Sequence, residues 1–152
     1  MSWLQRKTKF IDKENNMHIH FDLNQINWLA VVIATFTAFI LGGIWYGPLF
    51  NKPWMKAFGL TEDEINKRNP APVFGKAIIW TFLAAVVLSL FIEPDADLHY
   101  GAMNGFFIGL GIVTPFMGVH YSFEGRNWKI LAINAGYSTL ALTLMGAVIG
   151  WF

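Results

Sequence analysis

Residues 78–92 read IIWTFLAAVVLSLFI. A surface helix of a soluble protein keeps one polar face toward water, and this stretch has none to offer. Comparable runs occur in four places. Residues 26–46 carry no charge, 73–92 carry only Lys76 near the start, 99–121 lack Asp, Glu, Lys and Arg, and 128–152 carry only Lys129 at the start. Each approaches the ~20 apolar residues that a helix needs to cross a ~30 Å hydrocarbon core. Isolated strands leave backbone groups unpaired in lipid, and barrel strands alternate in polarity, so these continuous runs are helices. The expected fold class is all-α: a four-transmembrane-helix bundle with a short interfacial helical segment between the first two spans. It occupies residues 26–152, behind a flexible tail over 1–25.

Composition agrees. The chain of 152 residues is 55% hydrophobic and 14% charged, against about 25% charged in soluble domains. A net charge of +1 supplies no bulk field for nucleic acid. With no cysteine, thiol nucleophiles, thiolate metal sites and disulfides are excluded.

The span ends carry the punctuation expected of membrane helices. Trp28, Trp45, Trp128 and Trp151 lie at span ends, where amphipathic rings favour the headgroup level. Residues 42–54, GGIWYGPLFNKPW, close the first span. Trp45 and Tyr46 fit the interfacial belt, and Gly47-Pro48 is expected to stop the helix. Pro53 suits the first turn of a short interfacial helix closed by Gly59, and Thr61 with Glu64 fits a capping box.

Basic residues set the orientation. Lys52, Lys56, Lys67, Arg68, Lys76, Arg126 and Lys129 lie on the side of the first and third loops. The other side has only Arg6, Lys7, Lys9 and Lys13 in the tail, and an acidic turn at Glu93, Asp95 and Asp97. Both termini are therefore expected outside the cytoplasm, and if Met17 is the start the tail contributes no basic residue.

Lipid tails are as apolar as leucine, so helices in a bilayer associate through close packing and hydrogen bonds. Small residues recur every four positions in each span: Ala30, Ala34, Ala38 and Gly42; Ala77, Thr81, Ala85 and Ser89; Gly101, Gly105 and Gly109; Ala135, Thr139, Thr143 and Ala147. They predict a tight bundle with little internal void. Gly146 and Gly150 form an adjoining stripe that is available for a homodimer. Several glycines and Pro115 make the third span the least rigid, a hinge or a site of close helix approach.

Polar side chains at membrane depth are few. Asn104, Asn134, Tyr137 and Tyr46 are candidates for a small polar pocket, or for cross-bonds that set helix register. His120, Glu124 and Arg126 cluster in sequence at the third loop, where an acid–base pair of His120 and Glu124 is one option and a solvated ion pair the other. His18 and His20 share a face of an extended tail, short of the three or four ligands a metal site needs. No phosphate loop, HExxH motif or paired mid-membrane histidines for haem occur. No catalytic, cofactor or metal residues are therefore assigned. GIWYGPLFNKPW (43–54) also echoes GVHYSFEGRNW (118–128), each with a Tyr followed by a Trp, as a parallel half-repeat would.

NWLAVVIATFTAFILGGIWYGPLFNKPWMKAFG followed by TEDEI resembles the start of the bacterial domain-of-unknown-function family 1761, and EGRNWKILAINAGYSTLALTLMGAVIGW resembles its C-terminal half. The resemblance covers about residues 27–151 and implies a small integral membrane protein of about four helices. The family has no established activity, so no functional residues carry over. The leading expectation is a non-catalytic module of a bacterial inner membrane, in contact with membrane lipids and either homodimeric or bound to a membrane protein partner. An oligomeric carrier or channel for a small solute or lipid is the alternative, and a membrane enzyme the third option.

Overall fold

The computed structural model describes residues 23, 26–67 and 69–152. Of the tail expected over 1–25 only Leu23 is among the described residues; His18, His20 and the Met17 start lie outside them, as does Arg68. Among the described residues there are six helices and no strand. They are α1 (Trp28–Leu49), α2 (Asn51–Phe58), α3 (Glu62–Asn66), α4 (Pro70–Leu90), α5 (Leu98–Phe123) and α6 (Trp128–Trp151). The four long ones, α1, α4, α5 and α6, are long and apolar enough to cross a membrane.

Local sequence explains the ends. Asn27, Asn69, Asp97 and Asn127 each accept a hydrogen bond from a backbone N–H in the first turn of α1, α4, α5 and α6. Pro70 fits the first turn of α4, where its missing N–H costs nothing. Thr61 and Glu64 form the capping box of α3, and Gly59 at φ 70° closes α2 in the left-handed conformation that disfavours a side chain.

Proline acts differently from the sequence expectation. Gly47-Pro48 does not end α1 at Tyr46. The helix widens into a π turn over Trp45–Leu49, where Phe50 N donates to Trp45 O at 2.8 Å, and ends only at Phe50. The wider turn accommodates a proline that cannot donate. In α5 a π turn over Gly109–Val113 precedes Thr114-Pro115, and the Thr114 hydroxyl donates to Gly109 O at 2.9 Å.

The helices pack unevenly. α5 and α6 run antiparallel with their backbones in contact: Gly101 lies against Gly146, Gly105 against Leu142, Gly109 against Thr139, and Gly150 against the Asp97 carbonyl. Gly146 and Gly150 are buried in this intramolecular seam, so they do not form the spare dimer stripe that sequence spacing offered. α1 packs on α6: Ala34 and Ala38 share a core cluster with Ala141 and Met145, and Gly42 of the same stripe faces Tyr137 of α6. Asn27 Nδ2 of α1 also reaches the Phe152 carbonyl at 3.5 Å. α4 leans mainly on α1 and buries only Ala85 and Leu88. The tight bundle expected from four small-residue stripes is thus tight along α5–α6 and α1–α6 and open around α4. Cavities of about 520 Å³ and 380 Å³ flank α4.

Candidate functional site

A cluster of polar side chains forms where the end of α1 meets the start of α6. The π turn carries Trp45 and Tyr46 past the last regular turn of α1. Trp45 Nε1–H donates to the Ile133 carbonyl at 3.1 Å, and Tyr46 O–H donates to Asn134 Oδ1 at 3.0 Å. Adjacent residues of α1 therefore dock on adjacent residues of α6. Gly136 makes room for the indole, because a Cβ there would lie 3.2 Å from Trp45 Cζ2. Trp45 and Tyr46 do not simply float in the headgroup belt as their position suggested; both turn their polar atoms inward.

Asn134 is used at both ends. Its Nδ2 donates to the Tyr121 hydroxyl on α5 at 2.9 Å, so one amide joins α1, α5 and α6. Tyr137, one turn further along α6, lies tilted beside Tyr46 with ring centroids 5.0 Å apart and donates its hydroxyl to the Ala38 carbonyl at 3.2 Å. No buried side-chain nitrogen or oxygen lacks a partner among the described residues. In lipid an unpaired polar group is costly, which favours such mutual satisfaction.

An aromatic series continues outward. Trp54 of α2 meets Tyr46 edge-on at 6.0 Å, Phe58 lies 4.7 Å from Trp54, and the Arg126 guanidinium sits 5.1 Å above the Phe58 ring. Asn51 Nδ2 donates to the Tyr46 carbonyl at 3.2 Å and holds the start of α2 against the end of α1. Arg126 Nε pairs with Glu124 at 3.0 Å, both exposed.

Of the candidate residues, Tyr46, Asn134 and Tyr137 come together, and Arg126 with Glu124 closes the outer end. Asn104 does not join them. It bonds within its own helix, to the Tyr100 carbonyl at 2.9 Å. Its neighbour Gly105 packs on Leu142, eight residues past Asn134, about 12 Å further along the helix. His120 is exposed, and the carboxylate of Glu124 is engaged by Arg126. Reasoning from sequence missed Tyr121, Trp45 and Gly136 as site residues. The echo between 43–54 and 118–128 held the signal for Tyr121: it aligns Tyr46 with Tyr121, and the two hydroxyls meet opposite ends of the same amide.

The chemistry is that of a clasp. Phenols and an amide, mutually bonded, join three helices. Among the described residues no group of three or more His, Asp or Glu side chains could hold a metal ion. No curated protein and no solved structure matches the chain. A family model does, that of the proteins of unknown function DUF1761, over residues 29–150.

Proposed function

We propose that this chain, which belongs to the DUF1761 family of proteins of unknown function, is a non-catalytic multi-pass module that works as a homo-oligomer or as an accessory subunit of a membrane complex. The observation that supports this reading is the clasp: Tyr46 and Tyr121 bond the two ends of the Asn134 amide, and Tyr137 bonds the Ala38 carbonyl, all through neutral groups. Such groups fix helix register and specify one packed arrangement. The α4 side is a face left for a partner, because Gly101, Gly105, Gly109, Gly146 and Gly150 are consumed in the α5–α6 seam while α4 buries little of its own surface.

The same reading places the protein in a bacterial cytoplasmic membrane. The basic residues of the first and third loops argue for a cytoplasmic location of those loops and an external location of both termini. Native mass spectrometry of protein released from lipid nanodiscs tests it. A homodimer bearing only scattered lipid is expected. A monomer would restrict the reading to an accessory subunit, and a stoichiometric metal or organic cofactor would overturn it.

A carrier for a small solute or lipid is the second reading. The cavities beside α4, with Thr81 and Tyr137 in the linings of both, favour it.

A further inference from the structure

The two halves of α5 are held in different ways. From Leu98 to Gly109 the helix lies main chain against main chain on α6, with Gly101, Gly105 and Gly109 buried. The close approach ends there. A Cβ at Gly109 would lie 2.6 Å from the Thr139 Cα, whereas one at Gly118 would meet the tip of Leu131 at 3.7 Å. No residue from Leu110 to Phe123 is buried.

The change falls at the π turn over Gly109–Val113, which is followed by Pro115. A π turn interrupts the regular hydrogen-bond ladder and proline cannot donate to it, so the helix bends most easily here. There is room beside the turn. Ile108 and Val113 line the cavity of about 380 Å³, and Leu110 and Thr114 line a second of about 420 Å³.

Beyond the turn, α5 is tied to α6 mainly at its tip. The Thr114 and Thr139 hydroxyls are 3.4 Å apart, long for a hydrogen bond. Ser138 reaches the weakly accepting Met117 sulfur at 3.8 Å. The short side-chain bond between this half and α6 runs from Asn134 Nδ2 to the Tyr121 hydroxyl, at 2.9 Å. Tyr121 also carries the third loop. Its carbonyl accepts from the Arg126 N–H at 2.9 Å, and the Arg126 guanidinium lies over Phe58 of α2. The loop therefore travels with Tyr121, and the Phe58 ring is a second hold.

We propose that the Thr114–Phe123 half of α5 is a hinged arm that swings about the π turn and Pro115, with the Tyr121–Asn134 bond as the latch that keeps it closed. The Leu98–Gly109 half stays in the seam. Release parts the arm and the third loop from α6 and uncovers the Asn134 amide from the loop side. Tyr121 stands two residues from the loop end of α5, within reach of interfacial water, and Asn134 keeps its bond to Tyr46. Opening therefore does not strand the phenol in hydrocarbon. This goes beyond the module reading and depends neither on self-association nor on a transported solute.

The chain has no cysteine, so spin labels attach only to introduced ones. Phe123→Cys with Ile44→Cys reports on the arm, and Tyr100→Cys with Leu29→Cys on the seam half; all four positions are exposed. Double electron–electron resonance is recorded on the full chain in lipid nanodiscs. The arm pair should show a major closed distance and a minor open one. Tyr121→Phe keeps the ring, removes the latch and should raise the open population about fivefold, the effect of one net hydrogen bond. Arg126→Gln should raise it less. Pro115→Ala restores a backbone donor and should lower it below the level of the unaltered arm. The seam pair should keep one distance throughout. An arm distribution unchanged in Tyr121→Phe, with helicity intact by circular dichroism, would overturn the latch. Equal broadening of the arm and seam pairs, or no response to Pro115→Ala, would overturn the hinge.

Discussion

The α5–α6 seam and the α4 flank use the same kinds of residue and reach opposite results. Both faces are rich in glycine, alanine and threonine. In the seam, Gly101, Gly105, Gly146 and Gly150 bring main chain against main chain along about half of two antiparallel helices. At the flank, Gly43, Gly47 and Gly75 face nothing within 4 Å, and α4 is held chiefly through Ala85 and Leu88. Small residues permit close approach but do not compel it. Lipid offers no hydrophobic drive to close a gap between helices, because acyl chains fill it at little cost. A glycine stripe therefore becomes a seam only where the opposite face is also small and in register.

The largest test of that contrast is Gly105→Leu. Its new side chain overlaps the Leu142 carbonyl, which is backbone and cannot rotate away. We expect destabilisation of more than ~3 kcal/mol. Gly75→Leu, directed into open space on α4, should be neutral or slightly stabilising, because glycine is a poor helix former. Unfolding by sodium dodecyl sulfate in mixed micelles measures both, and similar midpoints for the two variants would dissolve the distinction between seam and flank.

Asn134→Leu comes next. It removes both bonds of the clasp and should cost about 1–2 kcal/mol in the same titration. A value near zero would mean that the helices keep register by shape alone. Trp45→Phe tests a single bond, from the indole to the Ile133 carbonyl, and should cost about 1 kcal/mol. The smallest effects should come from Asn104→Leu and Glu124→Gln, each within about 0.5 kcal/mol. The first loses a bond within its own helix, and the second an exposed ion pair. A large loss on Asn104→Leu would place a partner surface at that end of α5, away from the clasp.

Much of this molecule is legible from local sequence. The spans read from hydropathy as 26–46, 73–92, 99–121 and 128–152 are found as Trp28–Leu49, Pro70–Leu90, Leu98–Phe123 and Trp128–Trp151. The shifts have local causes. Pro48, a helix stop by its sequence, is absorbed in a π turn, and Pro70 begins α4 earlier because Asn69 caps it. The capping box of Thr61 and Glu64 and the closing Gly59 follow from residues within four positions of each other. The candidate site was less legible. Tyr46, Asn134 and Tyr137 are recognisable as polar residues at depth, but nothing local excludes Asn104 from their company or adds Tyr121 to it.

What the sequence determined alone is therefore the number, length and capping of the helices, because hydropathy and end-capping are properties of a few consecutive residues. What only the tertiary structure decided is which face of each helix turns inward. In a soluble bundle an apolar stripe on a polar helix answers that question in advance. Here α4, α5 and α6 have no continuous polar face, and lipid accepts most of their surface. Whether Gly146 joins a seam or a dimer, and whether Asn134 meets Tyr46 or Asn104, depends on the rotation of each helix about its axis. That rotation is set by backbone contact and by a handful of hydrogen bonds between helices distant in sequence, such as the one from Trp45 to Ile133.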